Sequence, residues 1–169
     1  MKEVVRLVDE YKEIVALLLS CKASSIKFYT KSSVSTIREL DHSSRLTPDG
    51  NFFITEILVM HEDKFILKKQ NLISSFKLYQ MPHCCAFIIS CNVTISSMFS
   101  GKHVGGALNR FRVGLAKALG YASIICTDIE HNERQRKILK RNEWIDVHNV
   151  VNKRTGNTVF ISLKDCNDD

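Results

Sequence analysis

Residues 85–120 constrain the fold more than any other stretch, because the spacing of their apolar residues changes once, across a loop rich in glycine. Residues 85–99 carry the β-branched and apolar side chains of a strand pair or of one strand bent at Ser90-Cys91-Asn92. Leu108, Phe111, Leu115 and Leu119 then stripe one face of a helix that stops at Gly120. Between the two lies Ser100-Gly101-Lys102-His103-Val104-Gly105-Gly106. A strand feeding such a loop at a helix N-terminus aims unpaired N–H groups and the positive end of the helix dipole at one point, where an anion binds. Glycine lets the backbone approach phosphate oxygens, and Lys102 adds a mobile charge. By itself the pattern is equally that of a tight turn, and it lacks the Gly-Lys-Ser or Gly-Lys-Thr of a P-loop.

The rest of the chain supplies the elements around this unit. Val4, Val8, Tyr11, Val15 and Leu18 sit at helical spacings, although the first few residues also read as a short strand. Residues 33–40 read as a short helix with Ser35 as its cap, and Thr47-Pro48-Asp49-Gly50 as a turn. Residues 52–60 and 64–68 read as a hairpin across His61-Glu62-Asp63, and residues 75–79 as a further strand. After Gly120 come an apolar strand at 121–128, a basic helix at 132–141, a strand at 144–151, a turn with Gly156 and a last strand at 158–163. The expectation is a mixed α/β fold with a sheet of six or seven strands, mostly antiparallel with one splayed parallel pair, flanked by helices.

With 169 residues, 44% apolar and 25% charged, the chain has the size and composition of a single domain with its own core. Its longest early apolar run, 14–19, is far short of a membrane span, and no cleavage pattern follows it, so a cytosolic location is expected without membrane association. The six cysteines read as small buried thiols; Cys84 follows His83, but adjacent strand residues point to opposite faces, so no metal site is expected. The net charge of +6 has one source: residues 101–154 hold eleven Lys or Arg and five Asp or Glu, while the remainder balances at thirteen of each. That field attracts a phosphorylated cofactor, a nucleic acid or an acidic protein.

The segment Phe99-Ser100-Gly101-Lys102-His103-Val104-Gly105-Gly106-Ala107-Leu108 resembles the coenzyme A loop of the GNAT-type N-acetyltransferases, which reads aromatic-Arg-Gly-Lys-Gly-Ile-Gly-Ser-x-Leu. In that family a strand follows the helix, then an Asn that opens the next helix, which ends in a Gly-Phe pair; Asn132 and Trp144 stand at the corresponding places. The resemblance is good over 95–144, extends to the terminal strands and is architectural before that. It implies one domain over 1–169, with 1–92 shaping the acceptor site and 93–169 holding the cofactor, acetyl-CoA or another acyl-CoA.

The resemblance further implies that the backbone near Ile95 pairs with the pantetheine arm, that Ser100, Gly101, Lys102, His103, Val104, Gly105 and Gly106 hold the pyrophosphate, and that Asn132 reaches the pantetheine or thioester. Arg134 is placed to meet a phosphate or to lie on a solvated face. Three positions depart from the pattern. Ser100 replaces Arg or Gln, His103 replaces a Gly, and Leu139 stands where many members carry the Tyr that protonates the departing thiolate. His103 must therefore be tolerated in the loop or the loop must bend differently. A carboxylate base to deprotonate the amine is sought at Asp128 or Glu56, although Glu56 also reads as a solvent-facing strand residue and Asp128 as a helix cap or ion-pair partner.

The activity implied is direct transfer of an acyl group to an amine on a protein, a small molecule or a nucleic acid. The alternatives are a non-catalytic protein of this fold acting through its basic face, and a transferase directed at a nucleic acid. Exposed strand edges leave room for a homodimer.

Overall fold

The computed structural model describes residues 2–32, 37–39, 54–61, 71–80, 84 and 86–167. Helix α1, Lys2–Leu19, begins the chain, so the strand alternative for the first residues does not hold. Val4, Val8, Tyr11 and Val15, three or four residues apart, form its buried stripe. It ends without glycine: Ser20 takes a left-handed φ of 54°, and the Cys21 amide returns to the Ala16 carbonyl at 3.0 Å.

Among the described residues eight strands follow in one sheet: β1 Ile26–Ser32, β2 Ile37–Glu39, β3 Ile54–His61, β4 Leu72–Gln80, β5 Phe87–Ile95, β6 Ser123–Ile129, β7 Ile145–Val151 and β8 Thr158–Asp165. Their order is β2-β1-β3-β4-β5-β6-β8-β7, and β5–β6 is the parallel pair among antiparallel neighbours. The sheet therefore has the mixed character expected, with the three-residue β2 added at its edge. That short strand corrects the helix expected at 33–40: capping signals there are local, whereas Tyr29, Thr30 and Lys31 of β1 pair with Glu39, Arg38 and Ile37. The turn expected at Thr47-Pro48-Asp49-Gly50 and the strand expected at 64–68 lie outside the described residues, as do His83 and Cys85.

Helices α2, Val104–Ala118, and α3, Glu133–Arg141, complete the described elements. α1 and α2 lie on one face of the sheet, held by four rings. Phe111 of α2 stacks on Tyr11 of α1 at 4.6 Å and meets Phe28 of β1 and Phe76 of β4 edge-on at 5.4 and 6.1 Å. Each such pair contributes about 0.5–1.5 kcal/mol beyond its buried area. The helices approach closely because Gly114 has no side chain: a Cβ there would lie 3.0 Å from Leu7 Cδ1. No described helix is long and apolar enough to cross a membrane.

Candidate functional site

Strands β5 and β6 are paired only at Phe87↔Ser123, Ile88↔Ile124 and Ile89↔Ile125, after which the parallel ladder stops and the strands part. A bulge in β5 accompanies the parting. The register with β4 shifts between Ser75↔Thr94 and Lys77↔Cys91, and Asn92 takes a φ of 52°, so the bend expected at Ser90-Cys91-Asn92 is present within one strand.

Beyond Ile95 a short turn, Ser97–Phe99, leads to the loop and α2. Gly101 has a φ of 82° and His103, the residue preceding α2, a φ of 62° with no side-chain capping bond. His103 thus adopts the left-handed conformation that glycine enters freely, which answers how the loop accommodates it. The first N–H groups of α2 have no carbonyl one turn back and face the loop.

These groups border a cleft of about 730 Å³. Its lining includes Val93 and Ile95 of β5, Phe99, Ser100, Gly101, His103 to Ala107, and Asn132, Arg134, Gln135 and Ile138 of the α3 region, with Ile14 and Leu18 at one end. Lys102 is exposed and outside this lining. Gly105 is where the walls come nearest: a Cβ on it would lie 2.9 Å from Cδ1 of both Ile138 and Ile95. Asn132 is the N-cap of α3, accepting from the Gln135 amide at 3.3 Å, and Arg134 Nη1 donates to Ser100 Oγ at 2.6 Å, joining α3 to the loop.

Sequence reasoning missed Arg110 and Arg141, which also line the cleft. Helical spacing held the signal: Arg110 follows Gly106 by one turn, and Gln135, Ile138 and Arg141 or Asn142 form one stripe of α3. Leu139, the residue the resemblance sets against the family's tyrosine, is not part of that stripe. Leu139 is buried at 3% exposure, and its neighbour Ile138 is the residue that faces the cleft.

The basic residues of α3 divide by role. Arg134 and Arg141 turn to the cleft, Lys137 pairs with Glu133 at 3.7 Å, and Arg136 is occupied by carboxylates and by the Phe160 ring, whose centroid is 3.6 Å from its guanidinium carbon. Arg136 reaches Asp128 at 3.4 Å and Asp146 at 2.8 Å, and Asp146 accepts from Ser162 Oγ at 2.7 Å. The Asp128 side chain, only 1% exposed, lies in that network and not in the cleft lining. Burial raises its pKa more than Arg136 lowers it. Glu56 is half-buried on β3, opposite Lys31 and Lys77, on the sheet face away from Phe28, Phe76 and α2. Among the described residues the lining holds three arginines and neither a carboxylate nor a phenol. Among the described residues no three His, Cys, Asp or Glu side chains converge as metal ligands.

No protein-family model and no curated protein matches the chain by sequence. Solved structures match it by fold. An acetyltransferase of the GNAT family from Desulfovibrio desulfuricans superposes with a TM-score of 0.57 at 10% identity, over 67% of this chain and 69% of that one. The spermidine/spermine N-acetyltransferase of Vibrio cholerae gives 0.54 at 13% identity, over 67% of each chain. Nourseothricin acetyltransferase gives 0.56 at 12% identity, over 84% of this chain and 85% of its own. Identities this low speak to architecture, and with the splayed parallel pair, the bulged strand and the glycine loop they show that the chain has the fold of the GNAT acetyltransferases.

Proposed function

We propose that this chain is an acyltransferase that takes an acyl group from an acyl-CoA and passes it directly to an amine. The observation that carries the reading is the cleft at the α2 N-terminus, where backbone donors, two left-handed loop residues and three arginines converge and no described carboxylate enters the lining. That donor set fits a diphosphate and a further phosphate. The amides from Val104 to Gly106 would hold the diphosphate, and Arg110, Arg134 and Arg141 would meet the remaining phosphate charge. Val93, Ile95 and Ile138 provide an apolar wall for the pantetheine arm, and Asn132 stands beside it. Acyl-CoA supplies an activated thioester; the contribution of this chain is to bind and orient it where β5 and β6 part, since positioning alone is worth on the order of 7 kcal/mol in favourable cases.

Asp128 serves this reading as a structural partner of Arg136, and Glu56 remains the base candidate reached from the other face of the sheet. The direction of Arg134 and Arg141 toward the cleft favours a phosphorylated cofactor over a nucleic-acid face as the cause of the basic excess. A cytosolic location and an acceptor among proteins, small amines or nucleic acids belong to the same reading. The test is isothermal titration with acetyl-CoA, with desulfo-CoA as the unreactive comparison. Micromolar binding of both supports the site and opens a screen of amine acceptors. Failure of both to bind removes the reading and leaves a non-catalytic protein of this fold.

A further inference from the structure

Three buried side-chain nitrogens among the described residues have no hydrogen-bond partner, Asn109 Nδ2, Arg112 Nε and Trp144 Nε1. They gather around one side chain. Arg112, 1% exposed, donates from Nη2 to Asn109 Oδ1 at 2.9 Å and from Nη1 to Ser90 Oγ at 3.2 Å, and its guanidinium carbon lies 5.7 Å from the Trp144 ring centroid. Tyr11 feels the Arg112 charge and sits beside Ser74. Arg112 also lies at the apex of the fork, because Ser90 follows Ile89, the last β5 residue paired with β6.

The cluster is short of acceptors and of negative charge. All three atoms are nitrogens that only donate, while the nearby Tyr11 and Ser74 hydroxyls hydrogen-bond each other. No described carboxylate pairs with Arg112; Asp128, on the same stretch of β6, is engaged by Arg136. The thiols nearest its charge are no substitute, since burial pushes Cys126 up to about 12 and also raises Cys91, which keeps both neutral. Leaving a guanidinium buried without a counter-charge is strongly destabilising, and each orphaned donor adds to that. A water molecule offers lone pairs but no charge.

We propose that Arg112, Asn109 and Trp144 form a buried binding site for a small monovalent anion, of which chloride is the simplest, locked behind the point where β5 and β6 part. The anion accepts from Arg112 Nε, Asn109 Nδ2 and Trp144 Nε1 and neutralises the guanidinium, tying α2 to the start of β7. The site is separate from the cleft, whose lining contains none of these three residues, so it stands whether or not acyl-CoA binds.

The test is thermal unfolding of the full chain at constant ionic strength while chloride replaces gluconate. A saturable rise in Tm with chloride is expected. Trp144→Phe removes one donor while keeping an aromatic ring and should raise the half-saturating chloride concentration several-fold; Arg112→Met, if it folds, should abolish the response. Crystals grown in bromide should show anomalous density beside Arg112 Nε. Equal Tm values in chloride and gluconate together with no bromide peak overturn the proposal, and so does a chloride response that Trp144→Phe leaves unchanged.

Discussion

Gly105 and Gly106 are adjacent in the first turn of α2, yet alanine at the two positions should behave differently. A Cβ at Gly105 meets Ile138 Cδ1 and Ile95 Cδ1 at 2.9 Å each, whereas one at Gly106 meets nothing within 4 Å. Carbon atoms pack at about 3.5–4.0 Å, so both isoleucines must retreat or the helix must shift. Both contacts are terminal methyls on half-buried side chains that turn aside cheaply, so the cost is about 1 kcal/mol, the low end of overpacking. Neither glycine has a positive φ, so each substitution also gains up to about 1 kcal/mol of helix propensity. Gly106→Ala should therefore stabilise by a few tenths to about 1 kcal/mol. Gly105→Ala should fall about 1 kcal/mol below it, which isolates the clash because propensity cancels in the difference. The assay is urea unfolding followed by circular dichroism, with the slope checked for constancy. Ile138→Val deletes one of the two crowded methyls and should recover part of the deficit in the Gly105→Ala background while costing stability in the wild type, a coupling of about 0.5 kcal/mol or more. Equal midpoints for Gly105→Ala and Gly106→Ala would refute the packing of Ile95, Gly105 and Ile138 described above.

Gly106→Asp places a carboxylate at the cleft beside the free amides of α2, so acetyl-CoA binding should be lost in titration while Tm stays within a few degrees of wild type, a separation that Gly105→Asp cannot give because it also breaks packing. His103→Gly and Glu143→Gly relieve left-handed conformations at φ values of 62° and 59°, and each should raise unfolding stability by about 1 kcal/mol in denaturant melts. Two carboxylates in the Arg136 network should respond oppositely to pH. Asp146 is held below its ordinary pKa of 3.8, first by the Ser162 hydroxyl, so its stabilisation is present above that pH and is lost as pH falls through the depressed folded value. Asp128 is raised above 3.8, first by burial, so its contribution declines as pH rises from 3.8 through the raised folded value. Urea midpoints between pH 3 and 7 should show the Asp146→Asn deficit growing with pH and any Asp128→Asn deficit shrinking; parallel profiles would contradict the assignment.

What was legible in the sequence was what short-range pattern encodes. The stripe Leu108, Phe111, Leu115 fixed one face of α2, Gly120 stopped it with a φ of 87°, and Asn132 capped α3, because each depends on residues within a turn or two. The glycine loop before α2 was readable for the same reason, and His103 shows that a residue other than glycine takes a left-handed φ there. The three-residue β2 was misread because its conformation comes from β1, and a capping signal near Ser35 carries no knowledge of that neighbour.

Other features exist only after the chain has folded. Successive helical residues are about 100° apart, so counting from Asn132 finds the right turn of α3 but not which residue of that turn faces the cleft; packing decides it by burying Leu139 with Trp144 and leaving Ile138 exposed to the cleft. Asp128 reads in sequence equally as a base, a helix cap or an ion-pair partner, and the fold selects the pair with Arg136 because β6, α3 and β7 meet. The sequence by itself determined that this chain has a strand, a glycine-bearing loop and a helix in that order, since those rest on local periodicity and glycine. The tertiary structure alone decided which charges face the cleft, which are paired away from it, and that Arg112 is buried at the fork, since each of those is a contact between residues that only the sheet brings together.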